Sequence, residues 1–204
     1  MAGIIAPGED KAWGILAESA PESICKSASV RYDAATGTYL VTSFGMEFRV
    51  STREKSITSQ APGSEVLLTR LGDFFRLSLL WYLVSARDIP CTGRLTKIDH
   101  IKGGEAFSRG SHVLPLAKLA GKYGNDKEGF LQKGKILGGE AQRYGDAGIR
   151  LFPFPRVPVV LSLWIADDEF PARADLLLDS SCDFQLPPDI TWSIAMMTVL
   201  VMVM

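Results

Sequence analysis

The stretch that most restricts the fold runs from Pro155 to Ser181 and reads PRVPVVLSLWIADDEFPARADLLLDSS. Val157–Ile165 and Ala174–Asp179 are short apolar runs, and the segment between them carries Asp167, Asp168 and Glu169. Apolar runs of this length, punctuated by Pro and Asp, read as β-strands. Two of them across one acidic loop predict adjacent antiparallel strands. Three explanations compete for the acids, with Asp175 and Asp179 following soon after: a metal or acid/base site, a specific turn that fixes the hairpin, or solvated charge.

Side chains alternate along a strand, so Asp167 and Asp168 point to opposite faces if the strand continues. Asp168 can then share a face with Asp175 or Asp179, and with Glu169 it forms a carboxylate set suited to Mg²⁺ or Ca²⁺. Like charges held close also raise one pKa, which is how a general acid arises, and Asp168 and Glu169 are the candidates for that role. Asp and Glu are equally common in turns, where a carboxylate accepts backbone N–H bonds. The loop has no EF-hand spacing and no nearby His, so the favoured expectation is a specific turn that doubles as one wall of a pocket. Arg156, restricted between Pro155 and Pro158, is expected to brace that turn by pairing with Asp168, Glu169 or Asp179. Its alternative role is to hold a ligand carboxylate or phosphate.

Glu9–Pro21 places Trp13, Leu16 and Ala17 on one face, predicting a short amphipathic helix ended by Pro21. Ser29–Ser51 reads as two or three antiparallel strands separated by DAATG and FG. A long helix follows SQAPGS, with Ser64 as its expected cap; Leu67, Leu71, Phe74, Phe75, Ser78, Trp81 and Tyr82 recur at helical spacing. Pro115 suits the first turn of a helix in HVLPLAKLAGKYG. NDKEGFLQKGKILGG offers a capping box from Asn125 to Glu128 and a stop at Gly138. LPPDITWSIAMMTVLVMVM closes the chain as a helix. Strands at both ends with helices between them give an α+β fold.

The balance of 22 basic and 23 acidic residues, with no basic run interleaved with aromatics, argues against nucleic-acid binding. Val66–Ala86 is broken by Arg70, Asp73 and Arg76, and the apolar end from Trp192 is short of the ~20 residues a membrane span needs. No membrane span is expected. MAGIIAPGED lacks the pattern of a signal peptide, and three scattered cysteines, Cys25, Cys91 and Cys182, fit a reducing cytoplasm.

DHIKGGEAFSRGSH (99–112) is the other candidate ligand loop. Gly103 and Gly104 allow close backbone approach, and Lys102 and Arg109 offer positive charge to an anion. The glycines match neither GxxxxGK nor GxGxxG, His100 and His112 have no metal-ligand spacing, and SRGSH is not a GxSxG elbow. Cys91 in IPCTG has nothing near it in sequence to lower its pKa.

YLVTSFGMEFRV, LLWYLVSA, the KGGEAF loop, the Pro155–Ser181 stretch and LPPD, in that order, resemble domain of unknown function 3786, from Leu40 to the end of the chain. Pro155, Arg156, Pro158, Asp168, Glu169, Phe170, Pro171, Asp179 and Ser181 carry its most specific part. The resemblance implies a prokaryotic, largely anaerobic family without an established activity. Some relatives are fused to a four-cysteine iron–sulfur domain similar to those of corrinoid proteins, a cluster this chain lacks.

The expected organisation is one domain over residues 1–204, with a helical lead (1–28) and a body (29–204) resembling that family. The expected function is binding of a small anionic ligand or cofactor, its identity unspecified, in a pocket between the Gly103 loop and the Asp168–Glu169 loop. Lys102, Gly103, Gly104, Arg109, Arg156, Asp168, Glu169 and Asp179 are its candidate contacts, and no metal is assigned. One alternative is an accessory module for an iron–sulfur or corrinoid protein, docking through the apolar C-terminal helix or an edge strand. The other is an enzyme using Asp168 or Glu169 as general acid/base.

Overall fold

The computed structural model describes residues 7–105 and 112–204 and shows an α+β architecture. Two N-terminal helices come first, α1 (Pro7–Glu18) and α2 (Pro21–Ala28). Pro21 opens α2 rather than merely ending α1, because its fixed φ suits a first helical turn and its missing N–H is not needed there. α1 turns Glu9, Ala12, Trp13 and Leu16 inward and leaves Ala17 exposed. Glu9 lies on the inward stripe with these apolar residues and pairs there with Arg76 at 3.3 Å.

The first sheet is an antiparallel meander of β1 (Arg31–Asp33), β2 (Thr38–Ser43), β3 (Met46–Ser51) and β4 (Ser56–Thr58). The fourth strand was not expected, since three residues are too few to show a period. Phe44 and Gly45 form the β2–β3 turn with φ of 48° and 74°, the positive pair that a two-residue hairpin turn demands. A π-turn (Val66–Arg70) then leads into α3 (Gly72–Ser85). Ser64 contributes its carbonyl, accepting from the N–H groups of Leu67 and Leu68, and the helix start has no side-chain cap. Leu67, Leu71, Phe75, Ser78 and Tyr82 are buried along this central segment, as their spacing predicted.

The second sheet comprises β5 (Leu95–Lys97), β6 (Glu140–Gln142), β7 (Ala147–Phe154), β8 (Val157–Trp164) and β9 (Arg173–Asp179), in the order β5-β9-β8-β7-β6. β8 pairs antiparallel with β9 across the acidic loop, as expected, and with β7 across a Pro155–Arg156 turn. Every residue of β8 except Trp164 is buried, so both faces of this central strand are covered. That is why its sequence is a continuous apolar run rather than an alternating one. The surrounding helices are α4 (Leu116–Tyr123), α5 (Lys127–Ile136), α6 (Cys182–Gln185) and α7 (Pro188–Val203). Asp126, not Asn125, caps α5 by accepting from Gly129 N–H at 2.8 Å, which removes the predicted capping box.

Phe44 N–H donates to Phe152 O at 2.9 Å and joins the two sheets. Gly45 and Gly138 cross at this junction, where a Cβ on Gly138 would stand 2.8 Å from Gly45 Cα. Neither position has room for a side chain. α7 packs on α3 and α4, with Ser78 and Ser193 hydroxyls 3.0 Å apart and Tyr123 donating to Met202 O at 2.7 Å. Ile194, Ala195, Met197, Val199 and Met202 are all fully buried. The C-terminal helix is therefore part of the core. Among the described residues no helix is long and apolar enough to cross a membrane.

Candidate functional site

The β7–β8–β9 hairpins have two ends, and the predicted site residues divide between them. Arg156 sits in the β7–β8 turn. Asp168 and Glu169 lie beyond the far end of β8, whose eight residues span about 26 Å. Arg156 therefore does not brace the acidic loop. Its guanidinium donates to Ile89 O (3.0 Å), Lys26 O (3.0 Å) and the Asp88 carboxylate (2.7 Å). The Arg156 backbone N–H donates to the Tyr82 hydroxyl, which in turn donates to Ala28 O. The guanidinium points toward the end of α2 and the loop that follows α3.

Asp179 is at this same end, buried, and serves the same loop. It accepts from Thr92 N–H, Thr92 Oγ1, Gly93 N–H and Ser181 N–H, at 2.7 to 3.0 Å. Burial by itself pushes its pKa up, but hydrogen bonds from Ser181 and Thr92 outweigh burial and hold the carboxyl below its ordinary range. Gln185 completes the clamp, accepting from Arg87 N–H and donating to Arg87 O. Cys91 is exposed on this loop, and partial burial followed by the Asp179 charge raise its thiol pKa, so it is a weak nucleophile.

The acidic loop itself is a specific turn, and Asp167 makes it. Its Oδ1 accepts from Glu169 N–H (2.9 Å) and Phe170 N–H (2.7 Å), and those bonds, Phe170 first, lower its pKa. Asp168 and Glu169 are exposed on the turn. Asp175 and Asp179 point into other surroundings along β9, and among the described residues no three His, Cys, Asp or Glu side chains come together to hold a metal ion.

Beside the turn lies a groove of about 660 Å³ lined by Asp146, Trp164, Ile165, Asp167, Phe170 and Arg173, among others. Trp164 and Arg173 face each other in the β8–β9 register, and the guanidinium carbon stands 4.1 Å from the indole centroid. Phe170 is 66% exposed over the opening. Asp146 accepts from Ile165 N–H at 2.9 Å, leaving its second oxygen without a partner among the described residues. Among the described residues Arg173 forms no ion pair, although Asp146 and Asp167 line the same groove. One oxygen of each carboxylate accepts from backbone N–H groups instead.

The Gly103 loop stands apart, against the α6–α7 corner. Lys102 N–H donates to Asp183, and Gly103, with φ of 75°, packs on Pro188. A Cβ on Gly104 would stand 1.9 Å from Ile98 O, so close backbone approach here is to the protein itself. Lys102 and Gly103 line a shallow hollow with Asp99, His100 and Glu105, which shares no lining residue with the groove. Arg109 lies outside the described residues. The predicted joint pocket thus resolves into three places. Sequence reasoning missed Asp146, Trp164 and Arg173; the tryptophan and arginine at the two mouths of the acidic loop were the available signal.

The groove and both hairpin ends fall within one recognisable unit. A family model, described as a domain of unknown function (DUF3786), matches residues 20–201. The chain belongs to that family. The match begins ahead of Leu40 and takes in α2, whose Lys26 and Ala28 carbonyls anchor Arg156 and Tyr82. This DUF3786 chain thereby keeps its N-terminal sheet, its clamp and its groove within the family region. No curated protein and no solved structure matches the chain.

Proposed function

We propose that this DUF3786 protein binds a small ligand carrying an anionic group and an apolar body in the Trp164–Arg173 groove. The observation that supports it is a cation held over an indole face with no carboxylate partner among the described residues, in a groove that two carboxylates also line. A guanidinium in that state keeps its donors for a ligand carboxylate or phosphate, while Trp164 and Phe170 offer apolar surface. The volume is within the ordinary range for small-molecule sites. Trp164 and Arg173 stand on the paired ends of β8 and β9, which suits a defined direction for ring and guanidinium, while the rest of the lining comes from the flanking loops. Asp168 and Glu169 flank the opening and do not line it, so they supply long-range charge rather than direct contacts.

Amide NMR on the ¹⁵N-labelled protein, titrated with benzoate and then with phenyl phosphate, tests the reading. Saturable shifts at the Trp164 indole N–H that vanish in Arg173→Ala are the expected result. Shifts confined to the Lys102–Gly103 loop would move the site there, and no saturable shift from either probe would remove the ligand reading.

A further inference from the structure

The groove holds one positive and two negative side chains, and the arrangement discriminates between ligands. Asp146 and Asp167 each use one carboxylate oxygen on backbone N–H groups, and the other oxygen of each has no partner among the described residues. A simple anion approaching Arg173 meets repulsion from both. A simple cation approaching the carboxylates meets the guanidinium. A molecule carrying an anion and an ammonium a few bonds apart satisfies both signs at once. The apolar body of such a molecule has Trp164 and Phe170 to rest on, and aromatic contact of this kind adds to what area burial alone contributes.

Resting on the groove reading, we infer that the ligand is a small zwitterion with an aromatic body, of amino-acid size: its carboxylate on Arg173, its ammonium between Asp146 and Asp167, and its ring against Trp164 and Phe170. Asp168 and Glu169, exposed on the same loop, add negative potential that favours the ammonium and discourages bare anions. The inference concerns selectivity, and three probes separate it from simple anion binding. L-Phenylalanine carries both charges, hydrocinnamate lacks the ammonium, and phenethylamine lacks the carboxylate.

Binding of the three is compared by calorimetry and by Trp164 indole shifts. L-Phenylalanine is expected to bind at least tenfold more tightly than either truncated probe. Asp146→Asn and Asp167→Asn keep an oxygen for the backbone N–H groups while removing charge. They should shrink that preference several-fold, with hydrocinnamate binding unchanged or tighter. Hydrocinnamate binding as tightly as L-phenylalanine overturns the zwitterion inference and leaves the groove reading standing, whereas phenethylamine binding as tightly overturns both, since it carries no anionic group for Arg173. Failure of all three, with thermal unfolding unchanged, overturns both.

Discussion

The two ends of the β7–β8–β9 unit use the same side-chain types in opposite ways. At one end Asp179 accepts four hydrogen bonds from Thr92, Gly93 and Ser181, and the Arg156 guanidinium is held by Ile89 O, Lys26 O and Asp88, with only its Nε lacking a partner among the described residues. At the other, Asp146, Asp167 and Arg173 keep part of theirs free. A charged residue that is saturated by its own chain is structural, whatever its place in a motif. One left partly unsatisfied at a concave, aromatic surface is available to a ligand. Exposure alone would not separate the cases, since Asp88 at the closed end is about as open as many surface acids.

The largest effect is expected from Asp179→Ala. It removes one acceptor from four donors and leaves Gly93 and Ser181 N–H groups without it, costing about 3 kcal/mol in urea unfolding. Asp179→Asn should cost about half as much. Because the folded pKa is lowered, this contribution is complete above the unfolded value near 3.8 and is lost as pH falls through the folded pKa. Unfolding of the wild type should therefore steepen below about pH 4, and Asp179→Asn should flatten that slope. An unchanged slope would mean that the clamp does not depend on the ionised carboxylate.

Next comes the asymmetry between Arg156 and Asp88. Arg156→Ala frees the Lys26 and Ile89 carbonyls together and should cost about 2 kcal/mol. Asp88→Ala removes a half-exposed partner and should cost under about 1 kcal/mol, because both carbonyls still hold the guanidinium. Equal losses in a double-mutant cycle would show that the ion pair, and not the carbonyl contacts, anchors the turn.

Much of this fold could be read ahead because it follows from period and punctuation. The apolar run of β8, the return of β9, the core spacing along α3 and the Gly138 stop are all local signals. What escaped was fixed by partners distant in sequence. Arg156 finds Asp88 across 68 positions and Glu9 finds Arg76 across 67, and neither pairing leaves a local trace. The acidic loop was correctly expected to be a turn, but its tying residue is Asp167, whose carboxylate accepts from the Glu169 and Phe170 N–H groups, and not the Asp168–Glu169 pair. The groove depended on cross-strand register: Trp164 and Arg173 become neighbours only once β8 and β9 are paired.

The smallest effect on stability is also the sharpest test of the contrast. Arg173→Ala removes a cation–π contact on an exposed edge, worth about 0.5–1 kcal/mol, and no ion pair. The unfolding midpoint should move far less than in Arg156→Ala, although both variants delete an arginine beside the same strand. Ligand response should run the other way, with Arg173→Ala abolishing the Trp164 shift and Arg156→Ala preserving it in whatever fraction stays folded. If Arg173→Ala instead costs about 2 kcal/mol, as much as its counterpart, the open end is braced like the closed one. The guanidinium is then a clamp on Trp164, and its freedom to meet an anion, on which the groove reading rests, is gone.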